Sequence, residues 1–192
     1  MATTEINLND PRVKRTRQLI NDAFGKLLQE KGFEAITVQD IADLATVNRA
    51  TFYAHYEDKF DLLESSVRTR FHDDLTAKLP GRPPLTEETL RKLAAAVFEH
   101  LAQVYGHCRL DRQFEPMVEG AGRETLQAFV HEWLTSQPRG AGSAGAATTA
   151  LVISSTLMGI GAQWARGDQK QPVDELARQV AGVLMRGVTV AR

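Results

Sequence analysis

The 192-residue chain has one cysteine, Cys108, so neither an intrachain disulfide nor a cysteine-rich metal framework is open to it. It has no excess of either charge. Lys and Arg number 23 against 24 Asp and Glu, a formal net charge of −1. The global basic surplus that announces many nucleic-acid binders is therefore missing, and any case for DNA has to rest on local charge and motif. Alternating Val/Ile/Thr runs and the Asn-Gly or Asp-Gly pairs of tight hairpins are absent, which leaves little room for β-structure. Residues Met1 to Pro11 are polar and lean acidic, with no apolar stretch behind a basic start. An ordinary signal peptide is not expected, and a reducing cytoplasm fits the single thiol.

Long hydrophobic runs are also scarce. The stretch from Ala144 to Ala165 is uncharged and long enough to span a bilayer, but it is full of Gly, Ser, Thr and Gln. It reads as a buried interface helix, and no membrane contact is expected. Chemistry-bearing clusters are thin. Glu99-His100, His107-Cys108 and Asp111 follow no zinc-ligand spacing, and no Ser-His-Asp arrangement has local support. Cys108 offers a thiol open to oxidation, with an inert cysteine the simpler reading. No enzyme activity, metal or cofactor is expected.

What is present is a folded, soluble composition, 43% hydrophobic and 24% charged, punctuated by Gly and Pro into helical segments. A first helix is predicted from Pro11 to Lys31, with Ile20, Ala23, Phe24, Leu27 and Leu28 on one face and Gly32 as its stop. A short second helix follows Thr37, a good N-cap with Asp40 three residues on. After a break at Thr46-Val47, Asn48 caps a third helix from Arg49 to Tyr56. A fourth opens at Glu57-Asp58 and ends before Pro80. A Pro/Gly/Arg linker leads to a fifth near Thr86. A short segment at about Asp111 to Val118, a helix from Arg123 to Leu134, a Gly/Ser/Ala loop from Gln137 to Gly145, and helices from Ala146 to Arg166 and Val173 to Val190 complete an all-α chain of about nine helices.

The informative stretch is Thr37 to Tyr56, in which two short capped helices flank a tight break with the spacing of a helix-turn-helix. Ile41, Val47 and Phe52 supply the wedge between them, and Ala42 is small where they must approach closely. The third helix turns Arg49, Ala50, Thr51, Tyr53 and His55 outward. Such a helix fits the major groove, where Arg49 can pair with guanine and Thr51 can meet a thymine methyl. Thr37 opens the second helix, where a hydroxyl and free backbone N–H groups can hold a phosphate. His55 and Lys59 can hold phosphates on the other side. Arg12, Lys14, Arg15 and Arg17 form a basic cluster with no acid from Pro11 to Asn21.

Thr37 to Lys59, continued by Phe60-Asp61-Leu62-Leu63, resembles the signature of TetR/AcrR-type repressors: Thr-x-x-x-Ile-Ala, a turn, then Thr-[aromatic or Leu]-Tyr-x-[His/Tyr]-[Phe/Tyr]-x-x-Lys-x-x-Leu. The detailed likeness covers about residues 12 to 65. The resemblance implies that Thr37 contacts phosphate, that Gln39 reaches toward a base, and that Arg49, Ala50 and Thr51 read bases. Tyr53 and His55 then meet phosphate or sugar, and Lys59 clamps a phosphate. Asn48, which opens the reading helix, joins this set. One departure is Thr46, where the family's turn usually carries glycine. A β-branched residue is disfavoured at positive φ, so either the turn is altered or it stores about 1–3 kcal/mol of strain.

The resemblance also implies a division into residues 1–60, the DNA-binding domain, and 61–192, a helical ligand-binding and dimerisation domain. The fourth helix would act as a rigid lever between them. The small residues of Ala146 to Ala165, and the stripe Leu176, Val180, Val183, Leu184, Val188 in the last helix, point to a homodimer built through the last two helices. A two-fold dimer would match a palindromic double-stranded operator. Phe98, Tyr105, Phe114, Met117, Phe129, Trp133, Met158 and Trp164 are candidates to line a pocket for an unidentified small molecule, although aromatic and Met side chains at helical spacing equally make a core. The resulting expectation is a ligand-responsive regulator, in the usual case a repressor. The rival reading is a helical interaction protein whose reading head no longer binds DNA.

Overall fold

The computed structural model describes residues 10–107, 112–137, 143–167 and 171–190. Cys108 and Asp111, and most of the expected Gly/Ser/Ala loop, lie outside them. The described residues form eight α-helices and one 3-10 turn, and no strand: α1 (Pro11–Lys31), α2 (Val38–Leu44), α3 (Arg49–His55), α4 (Lys59–Lys78), α5 (Glu87–His107), the 3-10 turn (Arg112–Phe114), α6 (Glu115–Thr135), α7 (Ser143–Arg166) and α8 (Val173–Val190). The all-α expectation holds, with eight α-helices where about nine helices were expected. The difference lies before α6. The sequence predicts a helix from Arg123, yet α6 opens at Glu115 and runs through Gly120 and Gly122. A Cβ at Gly122 would stand 3.2 Å from the Met158 methyl. That glycine therefore marks close packing, not an interruption. Pro116, in the first turn, needs no helical N–H partner.

The helices pack into two compact units, Met1–Ser66 with His107–Pro116, and Val67–Gly106 with Met117–Arg192. In the first, α1 is capped by the Asp10 carboxylate, which accepts from the Arg12 N–H at 2.8 Å, with Pro11 at the first helical position. Its inner face, Ile20, Ala23, Phe24 and Leu27, packs in a core with Phe33, Ile36, Ile41, Ala42, Phe52 and Leu62. Each fully buried side chain of this size contributes about 1.5–3 kcal/mol. Phe114 belongs here as well. Its ring lies 4.8 Å from that of Phe33 and 5.7 Å from that of Phe60.

The second unit is a helical core centred on Phe71, Leu90, Val97, Phe98, Leu126, Trp133, Ile153, Leu157 and Ala181. Helices α5 and α7 approach so closely that a Cβ at Gly161 would fall 2.7 Å from Leu101 and Phe98 carbons. Residues Gly145–Arg166 have the length and composition of a membrane span. Here that helix buries Ala150, Ile153, Ser154 and Leu157 against the unit's core, as expected of a packed helix.

Candidate nucleic-acid interface

Local hydrogen bonds build the two short helices. Thr37 caps α2 in a reciprocal capping box, its hydroxyl accepting from the Asp40 N–H at 3.1 Å while the Asp40 carboxylate accepts from the Thr37 N–H at 2.8 Å. Helix α2 ends in a Schellman motif: the Thr46 N–H donates to the Asp43 carbonyl at 3.1 Å and the Val47 N–H to the Ala42 carbonyl at 2.9 Å. That motif needs a left-handed residue, and Thr46 takes it at φ 58°. The turn thus keeps the geometry usually given to glycine, and the strain alternative is the one realised. Asn48 then caps α3, its side-chain oxygen accepting from the Thr51 N–H at 2.7 Å.

Helix α3 is divided by face. Phe52 is fully buried, its ring 5.8 Å from that of Tyr56, while Arg49, Ala50, Tyr53 and Ala54 are exposed. Arg49 and Tyr53, one turn apart, associate: the guanidinium lies 5.7 Å from the ring centre and Nη2 donates to the Tyr53 hydroxyl at 3.3 Å. Thr51 is half-buried and its hydroxyl donates to Asn48 at 3.0 Å. Gln39, exposed on α2, donates to Asp43 at 2.7 Å. Of the expected base-reading residues, Arg49 and Ala50 are thus exposed on α3, Thr51 is half-buried there, and Gln39 is exposed on α2.

The phosphate-holding residues fare differently. The Thr37 hydroxyl is already engaged by Asp40, donating to its carboxylate at 2.7 Å. Hydrogen bonds from Lys31, 2.9 Å away, and from Thr37 hold that carboxylate well below the usual range, so it stays charged. His55 is half-buried, and its Nδ1 has no hydrogen-bond partner among the described residues. Burial first, then the nearby Arg17 charge, lowers its pKa below the ordinary 6.5. It therefore meets a neutral solution as an uncharged ring. Lys59 Nζ donates to the carbonyls of Phe33 at 3.1 Å, Glu34 at 3.0 Å and Ile36 at 2.9 Å.

A polar cluster that the motif does not announce joins α1, Tyr56 and α4. Arg17, assigned to the outer basic group, turns inward. Its guanidinium stacks 4.6 Å from the Tyr56 ring and donates to Ser65 at 2.8 Å. Asn21 donates to the Tyr56 hydroxyl at 2.9 Å and accepts from the Ser66 hydroxyl. Tyr56, the residue that ends α3, is thereby tied to α1 and α4. The available signal was that Arg17 and Asn21 fall at i, i+4 next to the buried stripe of Ile20 and Phe24.

Of the expected ligand-pocket residues, Phe98, Phe129, Trp133 and Met158 are buried in the core of the second unit, and Trp133 Nε1 donates to the Pro83 carbonyl at 2.6 Å. Tyr105 is half-buried, with its hydroxyl bonded to Glu119 and Arg166. Met117 is half-buried at the start of α6, and Trp164 packs beside Phe98. Phe114 is a correction to that set, because its aromatic partners are Phe33 and Phe60 in the first unit. The second unit also has an open cleft of about 400 Å³ lined by polar groups, among them Arg68, His72, Asp73, Glu124 and Glu132, and of the candidates only Phe129 reaches it.

Residues 20–65 match the family described as bacterial regulatory proteins, tetR family. Over 60 residues the chain is 42% identical to the uncharacterized HTH-type transcriptional regulator YxbF of Bacillus subtilis (strain 168), a match covering 31% of this chain and 16% of YxbF. The curated relatives it matches are spanned over 16 to 33% of their own length. Among solved structures, a TetR-family regulator from Streptomyces coelicolor A3 superposes with a TM-score of 0.61 at 18% identity, over 94% of this chain and 98% of that one. The TetR-family repressor AlkX from Dietzia sp. strain DQ12-45-1b, implicated in biodegradation of n-alkanes, gives 0.56 at 16% identity, over 96% and 98%. At these identities the structural likeness is one of fold, and the sequence likeness to bacterial regulatory proteins of the tetR family is carried by residues 20–65, the helix-turn-helix stretch.

Proposed function

We propose that the chain is a ligand-responsive, DNA-binding transcriptional regulator of the cytoplasm that acts as a repressor and binds a palindromic operator as a homodimer. The observation that carries this reading is the accessible face of α3, where Arg49, Ala50 and Tyr53 stand outward on a capped helix whose opposite side is locked into a core. A helix anchored on one side and polar on the other can enter the major groove without reorganising. Arg49 reads a guanine edge, Thr51 and Ala50 meet neighbouring bases, and Gln39 reaches in from α2. Tyr53, His55, Asn48 and Thr37 contact the backbone, His55 as a neutral N–H donor. The division of labour follows the sequence, with residues 1–60 reading DNA and 61–192 binding ligand and partner.

Dimerisation is supported by an exposed, uncharged face of α7. Thr148, Leu151, Val152, Ser155, Gly159 and Gln163 recur at helical spacing on α7, exposed and uncharged, and Val183 of α8 is 61% exposed. Isolated exposed apolar residues are ordinary, but a charge-free stripe over four turns suits a second copy. AlkX, which shares the fold, is a repressor. Selection of bound sequences from random duplex DNA with purified protein tests the proposal. A palindrome with half-sites about 34–36 Å apart is expected. No enriched sequence and no salt-dependent binding, with or without candidate ligands, would overturn it.

A further inference from the structure

We propose that Tyr56 is a positioning residue whose hydroxyl sets operator specificity from inside the first unit: tied to α1 and α4, it fixes the angle at which α3 presents Arg49 and its neighbours. The functional consequence rests on the DNA-binding reading above, and the substance on the geometry of the first unit alone. Helix α3 has seven residues, of which Phe52 is buried. A helix this short has no stability of its own, so tertiary contacts decide where it points. Burial holds an apolar side chain in a core without giving it a direction. A single apolar anchor therefore leaves a short helix free to tilt about it.

Tyr56 supplies a second, directional anchor. It follows α3 as its C-cap and is 2% exposed, so the ring is as deeply placed as a phenylalanine would be. The hydroxyl is what differs. It accepts from Asn21 Nδ2 of α1 at 2.9 Å and has the Ser65 hydroxyl of α4 as a further hydrogen-bond partner. The Asn21 amide is fixed in turn. Its Nδ2 also donates to the Arg17 carbonyl at 2.8 Å, and a carbonyl only accepts, so the nitrogen has to face that side. The amide oxygen is left to accept from the Ser66 hydroxyl of α4. Arg17 closes the cluster, its guanidinium 4.6 Å from the centre of the Tyr56 ring and donating to Ser65 at 2.8 Å. Hydrogen bonds weaken steeply when misaligned, so this joint holds the end of α3 at one tilt. Tilt matters unequally for DNA. A bidentate pair between Arg49 and a guanine edge is lost when the helix turns away, whereas attraction to backbone charge is independent of sequence.

Tyr56→Phe keeps the ring and removes the hydroxyl. At a temperature where circular dichroism shows the variant fully folded, it should bind the selected operator about tenfold more weakly and a random duplex within about twofold of wild type. The slope of log affinity against log salt on the random duplex should not change. Asn21→Leu should lose at least the same factor on the operator, and the double variant no more than Asn21→Leu alone, because both changes remove the same hydrogen bond. Amide exchange should quicken at residues 53–56, where the Tyr56 N–H donates to the Phe52 carbonyl at 3.0 Å, and not in α1. Equal losses on operator and random duplex would mark a direct backbone contact and overturn the proposal, as would additive losses in the double variant. Exchange that rises throughout the unit while folded Tyr56→Phe still discriminates like wild type would mark a merely stabilising hydroxyl and also sink it. If the wild-type protein prefers no sequence, the function proposed above fails, while exchange at residues 53–56 still decides whether the hydroxyl holds α3.

Discussion

Replacing Thr46 by glycine should stabilise the first unit, and the size of the effect follows from one backbone angle. Thr46 sits at φ 58° in the turn that joins α2 to α3. For an L-residue the left-handed conformation costs about 1–2 kcal/mol, and a β-branched side chain belongs at the upper end of that range. Glycine removes the cost but brings its own, about 0.5–1 kcal/mol of extra backbone entropy lost on folding. Nothing else changes. The Thr46 side chain is exposed, and the two hydrogen bonds of the Schellman turn are made by main-chain N–H groups that glycine also supplies. The net gain is about 1–1.5 kcal/mol, or roughly a fivefold to twelvefold shift toward the folded state. Both tryptophans, Trp133 and Trp164, lie in the second unit, so fluorescence would miss the effect. Hydrogen exchange at the Val47 amide, which closes the turn onto Ala42, reads it directly. Its exchange should slow by that factor in Thr46→Gly. Thr46→Ala should gain much less, since alanine keeps the strain of a Cβ at positive φ. Equal gains from glycine and alanine, or faster exchange in the glycine variant, would refute the argument from φ.

Further predictions concern recognition, assembly and pH. Arg49→Ala should cost about 1–3 kcal/mol against the selected operator while relaxing preference at one base pair, as read by competition binding with single-base variants; a uniform loss across all sequences would argue against base contact. Leu151→Glu should shift the protein toward monomer in sedimentation experiments. An unpaired carboxylate buried in the proposed interface costs about 3 kcal/mol or more, roughly a hundredfold in association, and an unchanged dimer would place the interface elsewhere. His100 is buried in the second unit, stacked on Phe71 with ring centres 4.3 Å apart and paired with Asp74 at 3.0 Å. Burial lowers its pKa below the ordinary 6.5, and Asp74 offsets this only in part. The unfolded chain therefore takes up the proton first. Stability should be complete above about pH 6.5 and decline as pH falls below it, toward the depressed folded-state pKa. Urea unfolding followed by tryptophan fluorescence from about pH 7.5 to about 5.5 should show that decline, reduced in His100→Gln; an identical pH slope in the variant would rule His100 out as its source.

The parts of this protein that local interactions decide were legible from the sequence. Thr37 with Asp40, Asn48 with Thr51, and Asp58, whose carboxylate accepts from the Phe60 and Asp61 N–H groups, all act over two or three residues. Residue type and spacing therefore announced where α2, α3 and α4 begin, and the order of those signals carried the family. The outward set Arg49, Ala50 and Tyr53 followed from period alone, once Phe52 was taken as the inner residue. Even the anomaly at Thr46 was visible, although its resolution was not. The sequence offered a strained turn or an altered one, and only the coordinates show the turn preserved at positive φ.

Tertiary structure decided whatever depends on partners far apart in the chain. Arg17 looked like one of four outward cations and is instead drawn onto Tyr56, because a ring and a serine 39 to 48 residues away offer it a better site than water. Lys59 reads as a phosphate clamp from its motif position, and folding also brings its ammonium to three carbonyls of the α1–α2 connection. Phe114 looked like one more aromatic of the middle helices, and it packs with Phe33 and Phe60. Gly122 falls just before the helix predicted from Arg123, and it stands inside α6 against the Met158 methyl. In each case the residue type limited the options without choosing among them. A charge, a ring or a missing side chain states what a position can do, and only the neighbours brought by folding determine which of those things it does.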